Sequence, residues 1–177
     1  KLKYTLEIIK VKKNLVGVNT HFANKIAYHG LVNNLVKEVS NNDNIKPEVF
    51  FDKETRFDFL IEKNQQKIFV EVKNVTLFRD KKIAEFPDSV TARGSKHLKT
   101  LITAIKSGYK SYLLFLVQIE GVESFKIAKD IDKEYYENYK LAKKAGVIFL
   151  AYRCRINSKE HPIVRTHPET GKKILYV

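Results

Sequence analysis

Apolar positions change period several times along this chain, and each change marks an element. Phe22, Ile26, Ala27, Leu31 and Leu35 recur at near-helical spacing behind Asn19 or Thr20, predicting a capped helix that runs to about Val39. Before it, Lys3 to Ile9 alternates enough to form a strand. Ser40 to Lys46 is polar and rich in Asn, as a loop would be, and Glu48 to Phe51 follows as a short strand. Arg56 to Glu62 and Lys67 to Val75 are two strands divided by Lys63-Asn64-Gln65-Gln66, which makes a hairpin. After an irregular basic stretch, Leu98, Leu101, Ile102 and Ile105 form a helical stripe that stops at Gly108. Tyr112 to Gln118 is a continuously apolar strand, Asp132 to Ala145 a helix closed by Gly146, and Val147 to Tyr152 a second continuously apolar strand. Strand, helix, strand, helix, strand after Lys67 implies parallel neighbours joined by right-handed crossovers, and fully apolar strands imply a sheet covered on both faces. The fold class that follows is α/β, a mixed sheet flanked by helices.

The hairpin fixes which side chains meet. With Asn64-Gln65 as a two-residue loop, paired positions have numbers that sum to 129. One face then pairs Phe57 with Val72, Phe59 with Val70 and Ile61 with Ile68. The other pairs Leu60 with Phe69, Asp58 with Glu71 and Arg56 with Lys73. Residues i and i+2 share a face, so Asp58, Glu71 and Lys73 converge in any register that keeps the apolar six together.

Two carboxylates placed directly opposite, with Cβ atoms about 4.5–5.5 Å apart, repel each other. A hard divalent cation such as Mg²⁺ or Mn²⁺ would offset that repulsion, since Mg²⁺ takes one or two carboxylates and completes its shell with water and phosphate oxygens. Lys73 would then orient a water or stabilise charge on a pentacovalent phosphorus. Glu48, on the preceding strand, is a candidate third oxygen ligand. The same residues could equally form ion pairs on the wet face of a sheet, and strand geometry alone leaves both readings open.

Charge points to the substrate. Lys and Arg number 33 against 20 Asp and Glu, a net charge of +13 over 177 residues with a pI near 9.7. That is the electrostatic footprint of a polyanion binder, with nucleic acid as the leading partner. Arg93, Lys96 and His97, with Gly94 and Ser95, enter the second helix, where cations and backbone amides suit phosphate, and Arg56 lies beside the acidic pair. Composition excludes low-complexity, collagenous and disordered classes. No apolar run reaches the roughly 20 residues of a membrane span. Cys154 is the only cysteine, so no internal disulfide can form and a cytoplasmic setting is expected. The chain opens on Lys1 and contains no Met, so an N-terminal portion is expected to be missing.

Phe69-Val70-Glu71-Val72-Lys73-Asn74-Val75-Thr76-Leu77 and the run Phe86-Pro87-Asp88-Ser89-Val90-Thr91-Ala92-Arg93-Gly94-Ser95-Lys96-His97-Leu98 closely resemble the signature of the sugar fermentation stimulation protein A family. Arg56-Phe57-Asp58-Phe59, Asn19-Thr20, Ala23-Asn24 and Leu150-Ala151-Tyr152 are similar to it too. The resemblance implies a PD-(D/E)xK, restriction-endonuclease-like core that contacts DNA, preceded by an OB-like barrel. It would make residues 1–12 a remnant strand of that barrel and residues 13–177 the nuclease-like domain. It also implies a triad of Asp58, Glu71 and Lys73. One position departs from the pattern: Ala92 stands where an acidic residue is expected. The expected function is sequence-nonspecific DNA binding with a nuclease-like metal site and a Mg²⁺- or Mn²⁺-dependent phosphodiesterase activity; the alternative is a non-catalytic DNA-binding regulatory protein on the same fold.

Overall fold

The computed structural model describes residues 5–80 and 82–156, together with two short strands further along the chain. In order, β1 (Ile8–Val11) and β2 (Asn14–Gly17) precede α1 (Thr20–Val32), a 3-10 turn at Lys37–Val39, β3 (Asn44–Phe50), β4 (Arg56–Lys63) and β5 (Gln66–Val75). Next come β6 (Leu77–Asp80), β7 (Ile83–Phe86), α2 (Ala92–Lys106), β8 (Lys110–Val117), β9 (Ser124–Ile127), α3 (Lys133–Ala145) and β10 (Ile148–Arg153). The strands β11 (Val164–Thr166) and β12 (Lys173–Leu175) follow.

The central sheet has the order β10-β8-β5-β4-β3; β10, β8 and β5 run parallel, while β5, β4 and β3 are antiparallel. This is the mixed sheet expected from the strand and helix order. Strand β8 shows why its sequence is continuously apolar. Leu113, Phe115 and Val117 enter the core on the α2 side, and Tyr112, Leu114 and Leu116 enter a second core under α1. Strand β10, at the sheet edge, is covered less completely: Ile148 is exposed, although its sequence is just as apolar.

Helix α1 is shorter than its periodicity predicts. It starts where expected, with the Asn19 side chain accepting from the His21 amide, but ends at Val32. Asn34 then adopts φ 58°, and the Leu35 amide donates back to Gly30, which turns the chain out of the helix. Ala23, Ala27 and Leu31 form the buried face, whereas Phe22 and Leu35 are exposed. The helices α2 and α3 match expectation, with Gly108 and Gly146 at positive φ beyond their ends. Of the tyrosines on α3, Tyr135 is wholly buried and Tyr139 packs on Phe149.

Three features depart from the sequence reading. Strand β3 begins at Asn44, inside the predicted polar loop, because an exposed edge strand tolerates Asn and Lys. The stretch read as irregular contains β6 and β7, which join β9 in a small separate sheet. There the buried Glu85 receives two hydrogen bonds from Arg79 and an ion pair from Lys126, so a charged residue occupies a core position. Lastly, Ile8–Val11 pairs with the strand that follows it, and Ile9 and Val11 pack on the main core. Lys3 and Tyr4 lie outside the described residues.

At the first turn of α2, the Thr91 hydroxyl accepts from the Gly94 amide. A Cβ on Gly94 would lie 2.8 Å from Thr91 Cγ2 and 3.1 Å from Tyr135 Cε2. Gly94→Ala should therefore displace the cap and cost about 1–3 kcal/mol, measured as a lower melting temperature.

Candidate functional site

The hairpin turn is as expected: Asn64 and Gln65 have φ of 49° and 62°, which a two-residue type I′ turn requires. The register is also as expected from Lys63↔Gln66 to Phe59↔Val70. It then stops. Asp58 Oδ2 accepts from the Val72 amide at 2.7 Å, so a side chain takes the place of the next ladder bond. On the other flank, Glu48 adopts φ 54°. Both strands roll over at this point, and Phe57 and Val49 turn to the α2 core, away from Phe59 and Ile61 under α1. The predicted six-residue apolar face is thus corrected at one position. Phe57 packs with Leu60 and Phe69, its ring centroid 5.2 Å from that of Phe69, and Val72 stays with the α1 group.

Asp58 sits at this roll, half-buried, with Oδ1 accepting from Asn24 of α1 at 2.6 Å. Glu71 and Lys73 lie on β5 beside Leu113 and Phe115 of β8, on the α2 side. Lys73 donates to Glu71 Oε1 at 2.7 Å. His97 of α2 also hydrogen-bonds that oxygen through Nδ1, and its Nε2 receives the Arg93 Nε at 3.4 Å. Glu71 is only 3% exposed, yet its Oε2 has no partner among the described residues.

Two opposite electrostatic states stand side by side. Burial and the neighbouring charge of Glu71 push the Asp58 carboxyl above the usual aspartate value, more than its bonds to Val72 and Asn24 lower it. Burial also acts to raise Glu71, but His97 and Lys73 together more than offset it and hold that carboxyl below its usual value. Neutralising each residue should then move stability in opposite directions. For Asp58, a raised folded pKa means that stability declines as pH climbs from the unfolded value near 3.8 through the folded one, and the deficit persists at neutral pH. Asp58→Asn should remove it and stabilise the chain by about 1 kcal/mol, since Asn24 can present its carbonyl to the new amide. For Glu71, stability is present above the unfolded pKa and is lost as pH falls through the depressed folded one. Glu71→Gln strands the half-buried Lys73 and should cost about 1–3 kcal/mol. Denaturant melts of both variants at pH 7 test the pair. The hairpin repulsion alone would stabilise both variants, whereas His97 from α2 and Lys73 from β5 reverse the sign for Glu71.

The other sequence-predicted residues are distributed as follows. Glu48 pairs with Arg56 at 2.8 Å, both side chains about half exposed. Among the described residues no group of three or more His, Cys, Asp and Glu is gathered to hold a metal, so Glu48 does not join Asp58 and Glu71. Lys96 reaches Glu54 at 3.0 Å on the surface. His97 is 8% exposed and faces the acidic pair rather than the solvent at the start of α2. Asn24 was named in the sequence only as part of the resemblance, with no role assigned to it. Its one local signal is a polar residue directly beside the buried Ala23, and its contact with Asp58 spans 34 positions.

A family model described as the sugar fermentation stimulation protein RE domain matches residues 21–160. The chain belongs to this family. A sugar fermentation stimulation protein homolog of Pelagibacter ubique is 88% identical over 160 residues, 90% of this chain and 69% of that protein. The homolog of Pseudoalteromonas atlantica is 41% identical over 162 residues, with the same two shares. Among solved structures, Pyrococcus furiosus SfsA in complex with Ca²⁺ superposes with a TM-score of 0.79 at 29% identity, over 86% of this chain and 65% of that one. The chain thus spans about two thirds of the proteins it matches. The mixed α/β sheet flanked by helices is the fold this chain shares with that SfsA, and the matched family model describes it as an RE domain. Among the described residues, no helix is long and apolar enough to cross a membrane.

The donor set suits a hard divalent ion. Asp58 and Glu71 carry carboxylate oxygens, the type such an ion takes, and the buried Oε2 of Glu71 has no hydrogen-bond partner among the described residues. Two carboxylates are enough for Mg²⁺, which keeps several waters.

Proposed function

We propose that this chain binds DNA mainly through phosphates, without sequence preference, and hydrolyses phosphodiesters with Mg²⁺ or Mn²⁺. The observation that carries the reading is the buried Glu71, tied to Lys73 through one oxygen while the other is unpartnered, beside the carboxylate of Asp58. Asp58 and Glu71 would hold the ion, whose charge would polarise the phosphate and lower the pKa of an attacking water. Lys73, 2.7 Å from Glu71, would orient that water and stabilise the charge gathering on phosphorus. The related SfsA solved with Ca²⁺ supports an oxygen-bound divalent ion here. Arg56, Arg93 and Lys96 are solvent-exposed cations that would meet phosphates, and the net charge of +13 supports DNA as the partner.

A non-catalytic DNA-binding module is the second reading. Ala92, where the family pattern leads one to expect an acid, and the absence of a third gathered acidic ligand among the described residues favour it. Incubating the chain and its Lys73→Ala variant with plasmid and single-stranded DNA in Mg²⁺ or Mn²⁺ separates the two. Cleavage by the parent that the variant loses supports the nuclease; DNA binding without any cleavage by the parent supports the module.

A further inference from the structure

Of the two contacts at His97 Nδ1, the shorter is to Glu71, and it agrees with the contact at Nε2. The Arg93 Nε–H group lies 3.4 Å from Nε2 and can only donate, so Nε2 must offer its lone pair. The imidazole proton then sits on Nδ1, where Glu71 Oε1 is the acceptor. Lys73 donates to that same oxygen at 2.7 Å, and its 3.4 Å approach to Nδ1 is a contact rather than a bond in this tautomer. Two donors therefore converge on Oε1. Oε2 has none among the described residues, although it is buried. Burying a carboxylate oxygen without a donor is costly, so the arrangement is explained by a ligand for Oε2 that the protein does not itself supply.

We propose that His97, locked in its Nδ1–H tautomer by Arg93, is a positioning residue that occupies Glu71 Oε1 and leaves Oε2 as the oxygen offered to a divalent cation. This rests on the metal-site reading above and adds a role for two residues of α2. Sequence reasoning placed both against DNA phosphates; His97 is instead buried, while Arg93 is exposed and reaches His97 through its Nε. Groups that orient a metal-binding side chain commonly account for 10–100-fold in affinity. Lys73 alone could bond either oxygen of Glu71; His97 removes that choice.

Two measurements test this. In the metal-free chain, ¹⁵N NMR of the imidazole, assigned by loss of its signals in His97→Asn, should show Nδ1 protonated and Nε2 bare. The opposite tautomer overturns the proposal. Calorimetric titration with Mn²⁺ should show binding about 10–100-fold weaker in His97→Ala than in the parent. His97→Asn, whose amide nitrogen takes the place of Nδ1 and still donates to Oε1, should stay within a few-fold of the parent. Equal affinity in His97→Ala overturns the proposal. So does equal loss in both variants, because ring volume rather than the donor would then matter. A parent that binds no Mn²⁺ overturns the metal reading itself, and it does so before any variant is compared. DNA affinity without metal should be the same for the parent and both variants, which controls for folding.

Discussion

Raising salt from 50 to 200 mM should weaken DNA binding by this chain about 10³–10⁵-fold, with little difference between unrelated sequences. Binding by phosphate neutralisation releases condensed counterions, and the logarithm of affinity falls with that of salt in proportion to the phosphates contacted; six to ten contacts yield a loss of this size. The net charge of +13 supplies the cations. Lys96 and Arg56 are held in surface pairs with Glu54 and Glu48, and exposed pairs of this kind contribute only about 0–1 kcal/mol, so exchanging a carboxylate for a phosphate costs little. No zinc-finger or recognition-helix pattern is present in the sequence to read base edges. Fluorescence anisotropy with two duplexes of different sequence, across a salt series, checks both parts. A flat response, or strong preference for one short sequence, would overturn the phosphate-binding reading.

The second large effect concerns turnover. Lys73→Ala should lower the single-turnover cleavage rate by about 10²–10³-fold, the usual loss on removing one preorganised transition-state contact. It should leave Mn²⁺ bound, because Lys73 donates to Oε1 and not to the unpartnered Oε2. Asp58→Asn and Glu71→Gln should instead abolish metal binding and cleavage together, since each removes an anionic oxygen ligand. DNA affinity without metal should barely change in any of the three. Stability separates the two carboxylates again, with Asp58→Asn gaining and Glu71→Gln losing. Metal titration, rapid-quench cleavage and melts on the same preparations give the full pattern. If the parent cuts neither plasmid nor single-stranded DNA with Mg²⁺ or Mn²⁺, the enzyme reading falls and the binding module stands.

The strand and helix order of the central sheet, the hairpin register from Lys63↔Gln66 to Phe59↔Val70 and the presence of Asp58, Glu71 and Lys73 on one hairpin were legible in the sequence, because they depend on short-range regularities. An apolar strand covered on both faces reads as continuous, as Tyr112–Val117 does, and Asn64-Gln65 sets the register through turn geometry alone. Periodicity misled where neighbouring residues compete with it. Asn33 and Asn34 stop α1 seven residues short of Val39, and Asn44–Lys46 pair as an edge strand despite a loop-like composition. The small sheet of β6, β7 and β9 was hidden because its buried Glu85 is neutralised by Arg79 and Lys126, residues no alternation rule brings together.

Strict alternation along β4 placed Phe57 with Phe59, whereas the fold rolls the strand at Asp58 and sends the two rings to opposite cores. That roll depends on a left-handed residue in β3 and on a side chain capturing the Val72 amide, neither of which leaves a periodic trace. The sequence by itself determined that Glu71 and Lys73 share a face, since residues two apart on a strand must do so. Only the tertiary structure decided their electrostatic state. His97 and Arg93 arrive from a helix more than 20 residues away, and Asn24 from one on the other side of the sheet. Hydrogen bonds and charges at a few ångströms outweigh burial for Glu71, whereas burial and the neighbouring Glu71 charge prevail for Asp58, and the distances that decide this are set by packing, not by spacing along the chain.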